Sequence, residues 1–417
     1  MKKVLVIATR PPFPASAGRE MMLKQLLESS PKNINFIYCY FKKKEDLAAD
    51  ELMAEFNKNK LNVSKVVQLN FPSYAESFLN ILKFKYSLQE SMFYCRNTMS
   101  AICEIFQNEK PDVVYCDMLR TSSYAVNLKA PRKVIDLDDM LSIRYQRFYR
   151  QTNDNFDLLG SFGSLLGRPL RKVTNLFLKP ILLLESRLIS TREKAVLNDF
   201  DAVALVSPLE ASNLTKREVK KVYALPPMIS VSELKWQYKQ SVVKKLLFVG
   251  NLTTNQNYAS IKYIIEKVLP SLSAYDIKFE LEIIGKYDHR IESLKREGVH
   301  FHGFVESLTD IYTSADLLLA PIAFGTGIKL KIIEAISYGL PIATNSVGAE
   351  GIPINSKNAI IEDDLYCFCQ QVSELLRDQN KLNTYSSSAL ANIEKSFSMS
   401  YVKNELTQFL LDEKTNY

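Results

Sequence analysis

Hydrophobic and polar positions follow two alternating patterns along this 417-residue chain. Short runs of aliphatic and β-branched residues, bounded by Pro, Gly or charge, alternate with stretches in which apolar residues recur every three or four positions. That is the pattern of buried strands separated by amphipathic helices. An apolar run at 3–8 is followed by a helical period near 18–28 and a second run at 34–40. Further runs stand at 113–116 after Lys110-Pro111-Asp112, at 133–137 after Ala130-Pro131-Arg132, and at 202–207 after Phe200-Asp201. Continuous apolar runs ending in polar residues predict parallel strands buried on both faces, with ligands at their carboxyl ends.

From 244 the pattern restarts. Lys244-Lys245-Leu246-Leu247-Phe248-Val249-Gly250 mirrors Lys2-Lys3-Val4-Leu5-Val6-Ile7-Ala8, a basic pair leading into a buried strand. Strands are predicted at 279–285, 300–305, 316–321, 342–345 and 359–361, with helices at 258–269, 290–297, 329–338 and 365–376. Residues 223–243 hold Leu225-Pro226-Pro227-Met228 and then polar positions, as an interdomain linker would. A final helix at about 400–411 follows a polar, Ser-rich stretch. The expected fold is α/β, two Rossmann-like doubly wound domains facing a cleft. Its parts are a first domain over 1–225, a linker over 226–243, a second domain over 244–396, and a C-terminal helical segment over 397–417 that packs back on the first domain.

Composition narrows the function. With 47% hydrophobic and 24% charged residues the chain belongs with ordered globular proteins, and its length suits two full cores. The net charge of +7 is too weak over such a surface to imply nucleic acid. No signal-peptide core or membrane-spanning apolar window is visible, and the six Cys form no CxxC pair, so a reducing, cytoplasmic setting is expected. His289, His300 and His302 have no partner at metal-ligand spacing, so no metal is expected. His300 and His302 alternate along a strand and share one face, which suits edge histidines better than a ligand pair.

The basic charge is local. Residues 141–198 carry ten Arg and Lys against four Asp and Glu, and set Leu158, Leu159, Phe162, Leu165, Leu166 and Leu170 among Arg168, Arg171 and Lys172. This segment has two readings: a helical excursion packed on the first sheet, or a surface that docks peripherally on anionic lipid.

The densest chemical signal runs from Ala320-Pro321 through Phe324-Gly325-Thr326-Gly327-Ile328-Lys329 to Glu334 and Gly339-Leu340-Pro341. A strand ends, glycines let backbone approach a ligand closely, and a helix opens near Lys329. The free N–H groups of that helix start, with Lys329, form an anion site suited to a diphosphate. Glu334 is placed to accept both hydroxyls of a ribose.

With these stretches the chain resembles the family-four glycosyltransferases of the GT-B fold, particularly bacterial surface-polysaccharide enzymes. The resemblance spans nearly the whole chain. In the second half it rests on Phe248-Val249-Gly250, Glu282-Ile283-Ile284-Gly285, His300-Phe301-His302-Gly303-Phe304-Val305, Ser314-Ala315-Asp316-Leu317 and the Gly-rich turn. In the first half it rests on Pro11-Pro12-Phe13-Pro14 to Gly18-Arg19, Lys110-Pro111-Asp112-Val113-Val114, Asp136 to Arg144, and Phe200-Asp201-Ala202-Val203.

The resemblance implies a transferase that moves a sugar from a UDP- or GDP-sugar to a polysaccharide or lipid-linked acceptor, with retention and without metal or other cofactor. It places donor binding at Gly250, Asn251, Gly303, Phe304, Val305, Phe324, Gly325, Thr326, Gly327, Ile328, Lys329 and Glu334. Gly18, Arg19 and Arg144 would serve the acceptor and diphosphate loops, and Asp117, Asp139 and Lys329 the chemistry, with Asp117 facing the donor sugar.

The sequence departs from the family at two places. The first glutamate of the family's pair is replaced by Thr326, and the Arg and Lys that relatives carry after the Val249-Gly250 strand are replaced by Asn251 and Asn255-Gln256-Asn257. Lys329, with Lys331 as a second candidate, is the substitute cation, although Lys331, two residues on, would point elsewhere on a helix. Two rivals remain at this stage, a GT-B sugar-nucleotide epimerase and a catalytically silent GT-B partner subunit. Asp136-x-Asp138 could also be the metal pair of the other glycosyltransferase fold, and Asp138 and Asp139 could cap the helix that follows. A dehydrogenase is excluded, because residues 8–18 are Pro-rich and hold no GxGxxG.

Overall fold

A computed structural model describes residues 1–15, 18–83, 86–151, 168–216, 221–233, 235–325 and 327–412. The chain divides into two compact units. The first holds residues 1–206, 210–225 and the chain from Lys403 on; the second holds 207–209 and 226–402.

The first unit is a seven-stranded sheet. Its strands are β1 (Lys2–Ala8), β2 (Ile34–Phe41), β3 (Val63–Leu69), β4 (Val113–Asp117), β5 (Arg132–Asp136), β6 (Ala202–Leu205) and β7 (Val222–Ala224), in the order β3-β2-β1-β4-β5-β6-β7. Every pairing is parallel, and the order reverses between β1 and β4. The central strands are buried on both faces: Leu5, Ile7, Val114 and Ile135 pack in one layer, Val4, Val6, Tyr115 and Val134 in the other.

The sequence pattern misses β3 and β7, and both lie at sheet edges. There one side of the strand meets water, so β3 admits Lys65 and Gln68 and loses the continuous apolar run. Residues 141–151 and 168–199 form two helices that pack on each other, and Leu141, Ile189 and Val196 join the sheet's core. Glu193 ties the pair by accepting from Ser142 N at 3.1 Å, and burial pushes its carboxyl up to about 7. The C-terminal helix Met399–Leu411 sets Phe409 edge-on to Tyr115 and Tyr223, and Arg132 Nη2 donates to Phe409 O at 3.0 Å.

The second unit is a six-stranded parallel sheet of β8 (Val243–Val249), β9 (Lys278–Ile284), β10 (Val299–Gly303), β11 (Leu317–Ala320), β12 (Ile342–Thr344) and β13 (Ile360–Ile361). Its order is β10-β9-β8-β11-β12-β13, with reversal between β8 and β11. Asp316, in the stretch preceding β11, accepts from Lys245 N at 2.7 Å and so braces the two central strands.

Two expectations need correction here. The segment expected as a helix over 290–297 is a 3-10 turn, His289–Leu294, started by Asp288 accepting from Arg290 N at 3.0 Å. The Ser-rich stretch is a 19-residue helix, Gln379–Phe397: its serines sit among Leu382, Tyr385, Ala389, Ile393 and Phe397, whose three- and four-residue spacing buries one face.

One backbone approach fixes the carboxyl edge of this second sheet. Gly285 has φ +135°, and a Cβ there would lie 2.1 Å from Gly250 O. Both the dihedral and the contact require glycine. Gly285→Ala should therefore lower unfolding free energy by about 2–4 kcal/mol, read as a lower denaturant midpoint with an unchanged slope; an unaltered midpoint would show that the two loops part without cost.

Candidate functional site

The carboxyl ends of β8, β9, β10 and β11 bring together most of the residues that the sequence assigns to donor binding. Gly250 N donates to Ile284 O at 2.8 Å and Gly285 N to Gly303 O at 2.7 Å, so the exits of β8, β9 and β10 are linked side by side. Beyond them the 251–257 loop closes on itself: Asn251 O accepts from Asn257 Nδ2 at 2.9 Å, and Asn251 Oδ1 accepts from Thr253 N at 3.0 Å. Arg290 braces the same loop through Leu252 O, Thr253 O and Asn255 Oδ1 at 2.8 to 3.1 Å, with its guanidinium over the Tyr258 ring. Sequence reasoning passed over Arg290, since only folding brings it to this loop.

After β11 the chain is held by Ile322 N donating to Asn345 Oδ1 and Ala323 N donating to Ser260 Oγ, both at 3.0 Å. The turn that follows carries Gly325 at φ +120°, where a Cβ would lie 2.5 Å from Gln256 Nε2, and Gly327 at φ +75° with open space at its Cβ position. Thr326 lies outside the described residues. Phe324 and Ile328 are half-buried on either side of the turn.

The cation that reaches this edge is Lys331. Lys329 is buried and its Nζ donates back to Gly327 O at 2.6 Å. Its backbone is extended, at φ −91° and ψ 92°, because it is the cap that precedes the helix Leu330–Ser337. The expectation that Lys331 points elsewhere assumed both lysines on one helix, so it fails at that cap. Lys331 Nζ donates to Asn257 Oδ1 at 2.5 Å, lies 4.5 Å from the Phe248 ring centre, and would stand 2.9 Å from a Cβ on Gly250. Burial, with the nearby charge of Lys329, pulls its ammonium down to about 7.

Glu334 is one turn further along the same helix, its side chain exposed at the tip. Tyr312 OH donates to Glu334 Oε2 at 3.3 Å; Tyr312 is itself buried against Tyr338, whose OH meets Thr309 Oγ1 at 3.1 Å. Partial burial nonetheless holds the Glu334 carboxyl above the usual range. On the β10 side Gly303 has φ +72°, Phe304 stands mostly exposed with Lys286 Nζ 5.8 Å from its ring centre, and Val305 packs on the core. Tyr287, also exposed, lies beside Gly303.

In the first unit the switch between β1 and β4 is filled by one guanidinium. Arg19, in the first turn of the helix Gly18–Ser29, turns inward: Nε donates to Asp117 Oδ1 at 2.7 Å, and Nη1 donates to Asp138 Oδ1 at 3.3 Å. Nη2 pairs with Asp117 Oδ1 at 2.5 Å and Asp136 Oδ2 at 2.9 Å, outside hydrogen-bonding angles. Asp117 is fully buried and also accepts from Thr9 N at 2.7 Å and from Thr9 Oγ1. Burial opposes its charge, but Arg19 and Thr9 outweigh this and hold the carboxyl below its usual range. Burial prevails at Asp136 and Asp138 and raises both.

Two expectations change accordingly. Asp117, expected to face the donor sugar, is buried with both oxygens engaged by Thr9 and Arg19 inside the unit. Arg19 offers no open cation to a diphosphate, since its guanidinium is buried among carboxylates. Asp139 is buried as well and ion-paired with Arg144. Gly18 is exposed, with nothing within 4 Å of its Cβ position. Beside this loop a cavity of about 650 Å³ is lined by Phe13, Pro14, Lys24, Leu47, Glu51 and Glu55.

On the outer strands of the second sheet, Glu280, Glu282 and His300 bring ligand atoms within 4.8 Å of one another, and His302 bonds Glu282. The sequence reading found no partner for these histidines because the carboxylates come from the neighbouring strand. The side chains of Arg168, Arg171 and Lys172, and all of residues 152–167, lie outside the described residues.

Removing the central guanidinium tests the first unit's charge balance. Arg19→Met leaves the buried Asp117 and Asp136, and the half-buried Asp138, without their cation, a change that costs about 3–5 kcal/mol at neutral pH. Asp117 then loses the partner that holds its carboxyl low and joins Asp136 and Asp138 above the unfolded value, so the variant should regain stability as pH falls toward 5. Denaturation midpoints across pH check this; a deficit independent of pH would contradict it.

Residues 243–378 match the family model described as Glycosyl transferases group 1. Over 414 residues the chain is 23% identical to an uncharacterized 44.6 kDa protein in the cps region of Klebsiella pneumoniae, covering 95% of this chain and 97% of that one. Its fold is similar to that of sucrose-phosphate synthase from Thermosynechococcus elongatus, with a TM-score of 0.61, 15% identity and 98% of each chain covered. It is also similar to Anabaena HepE in complex with UDP, with a TM-score of 0.59, 13% identity, and 98% of this chain and 99% of that one covered. Two parallel sheets with flanking helices on this pattern are the GT-B fold. The second sheet thus carries a glycosyl transferases group 1 domain over residues 243–378, within a chain of GT-B fold.

Proposed function

We propose that this glycosyltransferase moves a sugar from a UDP- or GDP-sugar to a saccharide or lipid-linked saccharide acceptor in cell-envelope polysaccharide synthesis, with retention and without a metal. The observation that carries the donor assignment is the grouping of Gly250, Lys331 and Glu334 at the carboxyl edge of β8 and β11. Backbone exposed by glycine, one cation and one carboxylate match a diphosphate and a ribose. Phe304, mostly exposed beside Gly303, offers a face on which a base stacks. The similar HepE structure holds UDP, which favours a uracil base. The relative in a cps region supports polysaccharide synthesis.

For the acceptor, the cavity beside Gly18 has the mix that binds sugars, with Phe13 for a sugar's C–H face and Lys24, Glu51 and Glu55 for its hydroxyls. Asp117 and Asp139 are already held by Arg19 and Arg144, which leaves the departing phosphate to take the acceptor's proton. That division suits a retaining transfer. The first-turn N–H groups of Leu330–Ser337 and Lys331 stabilise the leaving diphosphate. The enzyme works in the cytoplasm, docking peripherally at the membrane through the basic segment 141–198; among the described residues no helix is long and apolar enough to cross a membrane.

Two experiments test this. UDP- and GDP-sugars, with and without EDTA, should raise the melting temperature for one base only and equally in both conditions. Glu334→Ala should weaken that donor by about 1.5–3 kcal/mol, and unchanged affinity for every nucleotide would refute the ribose assignment. Lys331 gives a pH signature. Because its free ammonium titrates at about 7, a diphosphate that binds the charged form should lose affinity as pH rises from 6 to 9. Lys331→Gln should flatten that dependence; a wild-type affinity constant over this range would remove Lys331 from the diphosphate site.

A further inference from the structure

The outer strands of the second sheet carry a polar cluster that the donor site does not use. On β9 the apolar residues Leu281 and Ile283 turn into the core, while Glu280 and Glu282 alternate with them on the other face, half-buried. The edge strand β10 pairs alongside with His300 opposite Glu282, so His300 stands on the same face, exposed. The register then shifts between Phe301 and Gly303, and the displaced His302 brings its Nε2 onto Glu282 Oε2.

Three ligand atoms converge here. A carboxylate oxygen from each glutamate and a ring nitrogen of His300 lie within 4.8 Å of one another. Tetrahedral zinc, with bonds of about 2.0–2.1 Å, holds its ligands about 3.4 Å apart, and rotation of the two long glutamate side chains closes the difference.

This convergence is not what an edge strand needs for protection. Charge deters a second strand from pairing there, and side chains spread into water serve that end. Two carboxylates drawn together repel each other instead. Lys245, opposite Glu280 on β8, and Lys278, two residues before it, share the face, yet among the described residues neither glutamate forms an ion pair with Lys or Arg. A cation is the partner that this charge lacks, and imidazole beside carboxylate selects its class. Magnesium and calcium take oxygen ligands, whereas zinc takes nitrogen and oxygen together.

We propose that Glu280, Glu282 and His300 bind a zinc ion that joins edge strand β10 to β9, with His302 holding Glu282 in place from the outer side. The ion is structural. His302 directly precedes Gly303, whose O accepts from Gly285 N, so the joint steadies the start of the loop that carries Phe304. The transfer step does not use the ion, and the site does not depend on the donor assignment.

The test is a zinc titration of the full chain, stripped with EDTA and dialysed, in competition with a chromogenic chelator. Wild type should take up one zinc per chain, and zinc should raise its melting temperature. Magnesium in excess should not displace it. Glu280→Gln/His300→Ala should lose at least about tenfold in zinc affinity, and His302→Ala, which removes only the outer partner, about tenfold. In EDTA the variants should melt with wild type, since the substitutions lie at a wet edge. Donor affinity in EDTA should also be equal in all of them, which separates failure of this inference from failure of the donor site. A wild type that takes up no zinc, or a double variant that binds it as tightly as wild type, would overturn the proposal. So would displacement by magnesium, or zinc uptake that is lost in Cys367→Ser, since the exposed thiol would then be the ligand.

Discussion

Every strand pairing in both sheets is parallel, and this constraint organises the rest. Parallel strands need crossovers, crossovers put helices on both faces, and all carboxyl ends then leave from one edge. At the point where strand order reverses, two neighbouring loops diverge to opposite faces and leave a gap. The second unit leaves that gap between β8 and β11 lined by glycine backbone, Lys331 and Glu334. The first unit fills the equivalent gap between β1 and β4 with Arg19. The same topology leaves an unfilled gap beside a lysine in one unit and a closed ion cluster in the other.

That cluster explains a departure from the family pattern. A buried carboxylate that is already satisfied by two backbone or hydroxyl donors and a guanidinium cannot also face a sugar. Asp117 is in this position through Thr9 and Arg19, so it orders the β1 and β4 exits relative to each other. Arg19 carries three carboxylates, more than its single charge balances. Burial is strong enough to lift Asp136 and Asp138, while Asp117, with the most bonds, stays below its usual range. The motif residues around Asp136 to Arg144 thus read most directly as architecture at the loop exits.

What the sequence made legible follows from where water is. Central strands such as β1, β8 and β11 are apolar on both sides, and they stand out as continuous runs. Edge strand β3 has one wet side and β7 is only three residues long, so neither does. The helix Gln379–Phe397 was hidden by its serines, because composition is visible at a glance whereas the spacing of Leu382, Tyr385, Ala389 and Ile393 must be counted. Residues joined by the fold alone were beyond reach: Arg290 under the 251–257 loop, Tyr312 behind Glu334, and Glu280 and Glu282 opposite His300. Lys331 was misjudged for a local reason, the extended backbone of Lys329, which no propensity would reveal at a Gly-rich turn.

The two lysines at that turn show how a site can hold positive charge for an anion without a standing repulsion. Two ammonium groups close together in a partly buried place oppose each other, and desolvation adds to the cost. Lys329 keeps its proton company with Gly327 O, and Lys331 meets the cost by titrating near neutrality. On the proposed donor assignment, an arriving diphosphate would supply the missing counter-charge and draw a proton onto Lys331. On that assignment the positive charge would be greatest when the site is occupied, which is when a leaving diphosphate needs it. An arginine at this position would stay charged in the free enzyme and forgo that coupling. Where the resemblance would place an Arg and a Lys after β8, this chain thus has a different electrostatic arrangement, in which, on the proposed assignment, ligand and proton would bind together.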